Sequence, residues 1–240
     1  MQFIFKNFLT EIERYLLPSH CAVCGKNGPV LCPGCRARIP KLKPACPACG
    51  QKNVLGLFCP ACKLKHTHYH FDGVFAYGAY EKSGLKPALS ALKYQGAQTI
   101  GLMLGKMLGK QLAIGWRKIP TFLATQTPII IPMPLHARRH RERGYNQALL
   151  IAQGVAATTG WPINTNLKRL SYQSPSAQAT YQARAKQKKL FYCAPTDFNN
   201  KIAILVDDVF TTGATAQAAS LALKQAGVKT ILMATIAQSI

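Results

Sequence analysis

Residues 202–215, IAILVDDVFTTGAT, run an apolar strand into two adjacent acids and then into a Thr-Thr-Gly-Ala-Thr turn. Open α/β sheets collect their ligands at the carboxyl ends of their strands. Two of the chain's eight acidic residues, Asp207 and Asp208, stand side by side at such an end. A helical pattern follows over 214–226 and stops at Gly227. Thr211, Thr212, Gly213, Ala214 and Thr215 are therefore expected to offer backbone N–H groups and hydroxyls at a helix N-terminus. A monophosphate fits that turn, and the paired acids fit the hydroxyls of a ribose beside it.

The surrounding sequence alternates in the same sense. Residues 72–80 (DGVFAYGAY), 201–206 and 229–236 read as strands, and 85–94, 100–114 and 143–159 as helices. PIIIPMPL, 128–135, is a continuous apolar run between prolines, as expected of a parallel strand buried on both faces. This β-α-β order predicts an α/β fold with an open, mostly parallel sheet. After PIIIPMPL comes a basic loop, 136–146 (HARRHRERGYN), with Arg138, Arg139, Arg141 and Arg143. Guanidinium groups bind phosphate oxygens in pairs, and Gly144 lets the backbone turn before the next helix. A solvated basic loop is the plain alternative, but its place after a strand that ends on the ligand side favours an anion contact. Lys93, in LKYQG at 92–96, reads equally as a ligand contact or as a solvated lysine.

Ahead of this region the chain has a different character. Cys21, Cys24, Cys32, Cys35, Cys46, Cys49, Cys59 and Cys62 form four consecutive C-x2-C pairs, and the ninth cysteine, Cys193, lies far away. Each pair aims two thiolates at one metal, so eight ligands suit two structural zinc ions in closed shells. Sequential pairing and a cross-braced arrangement both satisfy the spacing, although the short loops favour the former. Disulfides need an oxidising compartment, and the first 18 residues, interrupted by Lys6, Glu11, Glu13 and Arg14, do not read as a secretory signal. His66, His68 and His70 are expected at the surface or in a strand and not on the metal, and Cys193 as a small buried apolar residue. The organisation predicted is a short amphipathic helix at 1–18, a double zinc ribbon at 19–66 and an α/β domain at 72–240.

Thirty basic residues against eight acidic ones give a net charge of +22. Two tetrathiolate sites would remove only about four of these charges, so the surface stays cationic and nucleic acid is the leading partner. Single strands would bind with strong salt dependence. Tyr145, Tyr172, Tyr181, Phe191 and Tyr192 lie among basic residues, as stacking groups for bases or as core and pocket residues. Residues 168–189 contain no acid and read as a nucleic-acid contact or a solvated loop. No run reaches the roughly 20 apolar residues of a membrane span. The 1–18 helix allows peripheral contact with a membrane surface, or docking on the protein itself.

In order along the chain, the four cysteine knuckles, LKYQG, IPMPLHARRHRERGYNQA, an Arg- and Gln-rich segment over 169–184, and ILVDDVFTTGAT resemble the ComF family, a competence-associated group with an amidophosphoribosyltransferase-like domain. The resemblance covers about 21–236. It implies a type I phosphoribosyltransferase-like sheet with helices on both faces behind a double zinc ribbon. It also implies binding of phosphoribosyl pyrophosphate with Mg2+, with Asp207 and Asp208 on the ribose, residues 211–215 on the 5'-phosphate, and the loop after 132–135 at the pyrophosphate. Gln187 stands where the family often has asparagine, and no role is carried over there. The implied role is handling single-stranded DNA in the cytoplasm, at the inner face of the membrane in one version, during natural transformation. Two alternatives remain open: an active phosphoribosyltransferase with an unidentified acceptor, and a zinc-ribbon scaffold for a DNA-uptake channel or other competence proteins.

Overall fold

Apolar runs without helical period form strands here, and runs with apolar residues three or four apart form helices. The computed structural model describes residues 20–81, 84–119, 126–171, 190–194, 198 and 201–239. In chain order these form α1 (Pro33–Ala37), α2 (Pro60–Lys65), β1 (Gly73–Ala79), α3 (Leu85–Tyr94), α4 (Gln98–Trp116), β2 (Ile129–Pro132), α5 (Ala137–Arg143), α6 (Gln147–Thr159), β3 (Leu167–Arg169), β4 (Phe191–Cys193), β5 (Ile202–Phe210), α7 (Ala214–Gln225) and β6 (Thr230–Gln238). The expected helix at 1–18, and Tyr172, Tyr181, Arg184 and Gln187 in the basic segment, fall outside the described residues.

Four strands make one sheet in the order β1-β6-β5-β2, parallel throughout. Ile202 lies opposite Thr230, Gly73 opposite Leu232, and Ile129 opposite Ala203. Side chains alternate along a strand, so β5 sends Ile204 and Val206 to one face and Ala203 and Leu205 to the other. The first face is covered by α3, α4 and α6, and the second by α7 and the small antiparallel pair β3–β4. A parallel sheet must be roofed on both sides, which is why β1 is buried along its whole length and β6 everywhere but its ends.

The closest helix contact is between α4 and α6. Leu104, Leu108 and Leu112 point into the core, while Gly101, Gly105 and Gly109 form a second stripe facing α6. A Cβ at position 105 would lie 2.1 Å from the Ile151 carbonyl oxygen, and one at 154 would lie 2.3 Å from that of Leu102. The two backbones therefore touch, and the glycines are required by proximity.

The cysteine region is an internal repeat. Cys32 and Cys59 each precede a short helix with proline at its first position, and Gly25 and Gly50, at φ 70° and 75°, turn the chain after Cys24 and Cys49. The amide of Cys21 donates to Lys26 O and that of Cys46 to Gln51 O, both at 2.8 Å. This module shares the core of the sheet domain. Cys21, Leu31, Cys35, Ile39 and Leu55 are buried in one cluster with Phe75, Leu85 and Trp116. Leu57 bridges to Gly73 at the edge of β1, so the module also covers the unpaired side of that strand. Asp72 fastens the junction: it accepts from Lys63 of α2 at 3.0 Å, Lys224 of α7 at 3.3 Å and the Ile231 amide of β6 at 2.9 Å.

The expected basic loop is in fact a helix followed by a second helix. His136 Nδ1 accepts from the Arg138 amide to start α5, and Gly144, at φ 75°, ends it. Asn146 then caps α6, accepting from the Ala148 amide at 3.0 Å. The reading of 143–159 as one helix missed this break. α5 has no apolar period to mark it, and its caps alone define it.

Candidate functional site

The eight cysteines fall into two quartets, Cys21-Cys24-Cys32-Cys35 and Cys46-Cys49-Cys59-Cys62, whose sulfurs lie within 4.8 Å of one another in each group. Pairing is sequential. A tetrahedral zinc thiolate with Zn–S near 2.3 Å has an S–S edge of about 3.8 Å, and the Cys24–Cys32 and Cys49–Cys59 sulfurs are 3.8 and 3.7 Å apart. The electrostatics match a cation. Although burial pushes the Cys21 thiol up, amides led by that of Cys32 pull it down to about 6; Cys46 is treated the same way, led by the Cys59 amide. The last thiol of each quartet moves oppositely. Cys62 is raised to about 12 by its hydrogen bond with Cys59 and by the other sulfurs. The Arg38 guanidinium pulls Cys35 down, but burial and its three neighbours hold it at about 11. Four thiolates at this spacing need a metal charge to coexist, so the quartets fit zinc. His66 and His68 belong instead to an aromatic cluster with Phe58 and Tyr69. Cys193 is buried, and burial raises its thiol.

At the carboxyl ends of β2 and β5 a cavity of about 150 Å³ is lined by Lys93, Arg139, Arg143, Asn146, Gln147, Arg169, Asp207, Asp208 and Thr215. Alternation along β5 turns the two acids apart. Asp208 faces α3 and pairs with Lys93 at 2.8 Å. Asp207 lies toward the face of β3, and its Oδ1 accepts from the Asp208 amide at 2.8 Å. Burial first, and then the Asp208 charge, push the Asp207 carboxyl up to about 7, against the Asp208 amide, Lys93 and Arg169, which pull it down. Burial pushes the Lys93 ammonium down, but the two carboxylates prevail and raise it.

The turn after β5 is open. Thr211, Thr212, Ala214 and Thr215 are exposed, and Gly213, at φ 76°, begins α7 against the ring of Phe210. The first-turn amides of this helix of 12 residues point out of its N-terminus.

Of the four arginines singled out in the sequence, α5 brings two to the cavity. Arg139 and Arg143, four residues apart, share one helical face. Arg138 instead holds Glu142 at 3.1 Å, and Arg141 is exposed on the outside. Three further residues join the site. Asn146 doubles as a cap and donates to Met133 O at 3.0 Å, which ties α6 to the strand end. Gln147, 2% exposed, accepts from Arg143 at 3.0 Å, and its buried Nε2 has no acceptor among the described residues. Arg169 reaches the site from β3 with its guanidinium 5.5 Å from the ring of Phe191. The helix-cap pattern Asn-Gln before an apolar run was the signal for Asn146, whereas Gln147 and Arg169 gave none, since their roles come from tertiary contacts. Among the proposed stacking residues, the Tyr145 hydroxyl donates to Leu92 O, Phe191 is buried and Tyr192 is exposed.

Comparison with known proteins adds the following. The double zinc ribbon domain family matches residues 12–63. Competence protein F of Haemophilus influenzae is 31% identical over 211 residues, 86% of this chain and 88% of that protein. The DNA utilization protein YhgH of Salmonella typhimurium is 26% identical over 202 residues, 81% of this chain and 84% of that protein. Among solved structures, the glutamine phosphoribosylpyrophosphate amidotransferase of Bacillus subtilis aligns with a TM-score of 0.41 and 16% identity over 61% of this chain and 30% of that chain. No helix of the described residues is long and apolar enough to cross a membrane.

Proposed function

The chain belongs to the ComF family of competence proteins, and from that premise we propose that it binds phosphoribosyl pyrophosphate with Mg2+ at the β5 end and handles single-stranded DNA in the cytoplasm during DNA uptake. The observation that carries the reading is the single cavity in which Asp207 and Asp208 adjoin Thr215 of the phosphate turn and the cations Lys93, Arg139 and Arg143. A 5'-phosphate on the exposed turn would receive the amides of the α7 N-terminus and the threonine hydroxyls. The carboxylates would accept from the 2'- and 3'-hydroxyls of the ribose. Arg139 and Arg143 would face the pyrophosphate, where bidentate bonds are strongest.

The acid pair also suits a divalent ion. Asp207 sits at about 7 because it is buried beside a like charge; a cation at that position would offset the like charge, and a diol would donate hydrogen bonds to the buried carboxylate. Magnesium, when bound, would supply charge to hold a departing pyrophosphate. Support for DNA comes from the net charge of +22 and from the names of the relatives, which speak of competence and DNA utilization.

Turnover is a second reading, favoured by the carboxylate pair at the place where a ribosyl cation would form. There the C1–O bond breaks, pyrophosphate leaves with the electron pair, and an acceptor nitrogen or oxygen bonds to C1 and gives up its proton to solvent. Calorimetric titration of the zinc-loaded protein with phosphoribosyl pyrophosphate and Mg2+, with and without a short oligonucleotide at two salt concentrations, tests the first reading. Ligand affinity that the oligonucleotide changes supports it. Absent ligand binding, with salt-sensitive DNA binding intact, removes the phosphoribosyl site and leaves a DNA-binding scaffold. Pyrophosphate release on adding candidate acceptors separates turnover from binding. A partner that stays bound in high salt would point to a docking role for the ribbon, because salt screens phosphate contacts.

A further inference from the structure

Tyr94 is the last residue of α3 and is 74% exposed, although its neighbour Lys93 turns inward to Asp208 at 2.8 Å. The floor beneath it is fixed. Tyr145 donates to the carbonyl of Leu92, and Gly96, at φ 68°, turns the chain away immediately afterward. Arg143 sets its guanidinium carbon 5.5 Å from the Tyr94 ring centroid, and its Nη1 is held by Gln147 at 3.0 Å. The ring is thus backed by an oriented cation and keeps surface open to solvent.

A cleft of about 380 Å³ runs past this ring, and Lys93, Arg139 and Arg143 line both it and the carboxylate cavity. Its volume is within the roughly 300–1,000 Å³ of small-ligand sites. Glu142 is the one acid on its wall, and Arg138 already engages it at 3.1 Å. A flat aromatic face next to three cations is the chemistry that receives a base on the ring and its phosphate on the cations.

We propose that Tyr94, backed by Arg143, is a stacking platform for one unpaired nucleobase of a single strand whose adjoining phosphate lies against Lys93 and Arg139. This rests on the reading that the chain handles single-stranded DNA. The stacked nucleotide would then lie next to the ribose cavity, so strand and phosphoribosyl ligand compete for the same cations. Of the described aromatic residues singled out in the sequence for stacking, Tyr145 lines this cleft with its hydroxyl engaged by Leu92 O, and Phe191 and Tyr192 lie on β4.

The test compares an oligothymidylate of about 12 nucleotides with an abasic strand of equal length and charge, both by fluorescence anisotropy on the full-length, zinc-loaded protein. Wild type is expected to prefer the base-bearing strand by about 10-fold, the order of one stacked base. Tyr94→Ala should bring the two strands to parity while leaving the salt dependence of binding in place, and Tyr94→Phe should keep the preference. Because Tyr94 is exposed, neither variant endangers folding, and circular dichroism checks it. A Tyr94→Ala protein that retains the full preference overturns the platform. Wild type that binds both strands equally also overturns it but leaves the DNA reading standing, whereas wild type that binds neither strand defeats the DNA reading itself. Thymidine 5'-monophosphate bound as tightly as the strand would assign the platform to a free nucleotide and overturn the proposal.

Discussion

Leu55→Ala tests whether the zinc module and the sheet domain are one folding unit. Leu55 is 1% exposed and lies over Gly115 of α4, its Cδ2 2.8 Å from where a Cβ at position 115 would stand. Truncation leaves a void that neither the α4 backbone nor the tightly turned ribbon can fill, and buried Leu→Ala changes cost about 2–5 kcal/mol. For a chain of this length each kcal/mol shifts Tm by about 2–4 °C, so a cost near 3 kcal/mol lowers Tm by roughly 6–12 °C. Two signals follow the halves separately: thiolate-to-metal absorbance of the cobalt-substituted quartets reports the ribbon, and far-ultraviolet dichroism reports α3, α4, α6 and α7. Both transitions are expected at one temperature, and both should move together in the variant. Leu64→Ala, at a site 80% exposed, should leave them where they are. A ribbon signal that melts first in Leu55→Ala while the dichroism transition stays at its wild-type temperature would refute the shared core.

Gly154→Ala should destabilise by more than the usual overpacking cost of about 1–3 kcal/mol, because the added methyl meets the Leu102 carbonyl at 2.3 Å and the Gly105 Cα at 2.8 Å. Thermal unfolding checks this against Gly34→Ala, where nothing lies within 4 Å and no loss is expected. Asp207 has a folded pKa of about 7 against an ordinary 3.8, so its contribution to stability is whole below about pH 4 and is lost as pH rises through 7. Asp207→Asn should therefore raise Tm relative to wild type at pH 8 and lose that advantage at pH 4, while abolishing phosphoribosyl pyrophosphate binding; an advantage greater at pH 4 would contradict the assignment. Arg139→Glu should weaken pyrophosphate binding by about 10- to 100-fold, in line with the ~1.5–3 kcal/mol of a hydrogen bond to a charged group. Arg138→Glu, which breaks the exposed pair with Glu142, should change it little, and equal losses from both would show that α5 acts by net charge alone.

The contrast between Arg138 and Arg139 shows where the sequence stops being legible. Strand β5, its turn and α7 could be read because each carries its own signal within 202–227, although the strand, read as ending at Val206, runs to Phe210 and holds both acids within it. The cysteine quartets could be read because their ligands are local and few. The alternation of apolar runs likewise gave the parallel sheet with its strand ends on one side, and so the neighbourhood of PIIIPMPL and the paired acids. What composition could not sort is direction. Four arginines in seven residues look equivalent until the segment is known to be a helix. Its 3.6-residue turn then sends Arg139 and Arg143 to the cavity and leaves Arg138 to Glu142.

Lys93 and Tyr94 are a second case. Adjacent in sequence and both polar-tipped, they part at the end of α3, where the ammonium turns in to Asp208 at 2.8 Å and the ring stays out. That division depends on Asp208 arriving from a strand more than a hundred residues later, on the face of β5 that α3 happens to cover. The acids show the same dependence: their adjacency predicted a joint role, yet the pleat gives them opposite faces, one neutralised by Lys93 and one left buried with a raised pKa. A pair of identical residues thus enters the site as one carboxylate paired with Lys93 and one buried carboxyl raised to about 7. Such a site accepts a cation or a diol at Asp207 without first breaking the ion pair that anchors α3.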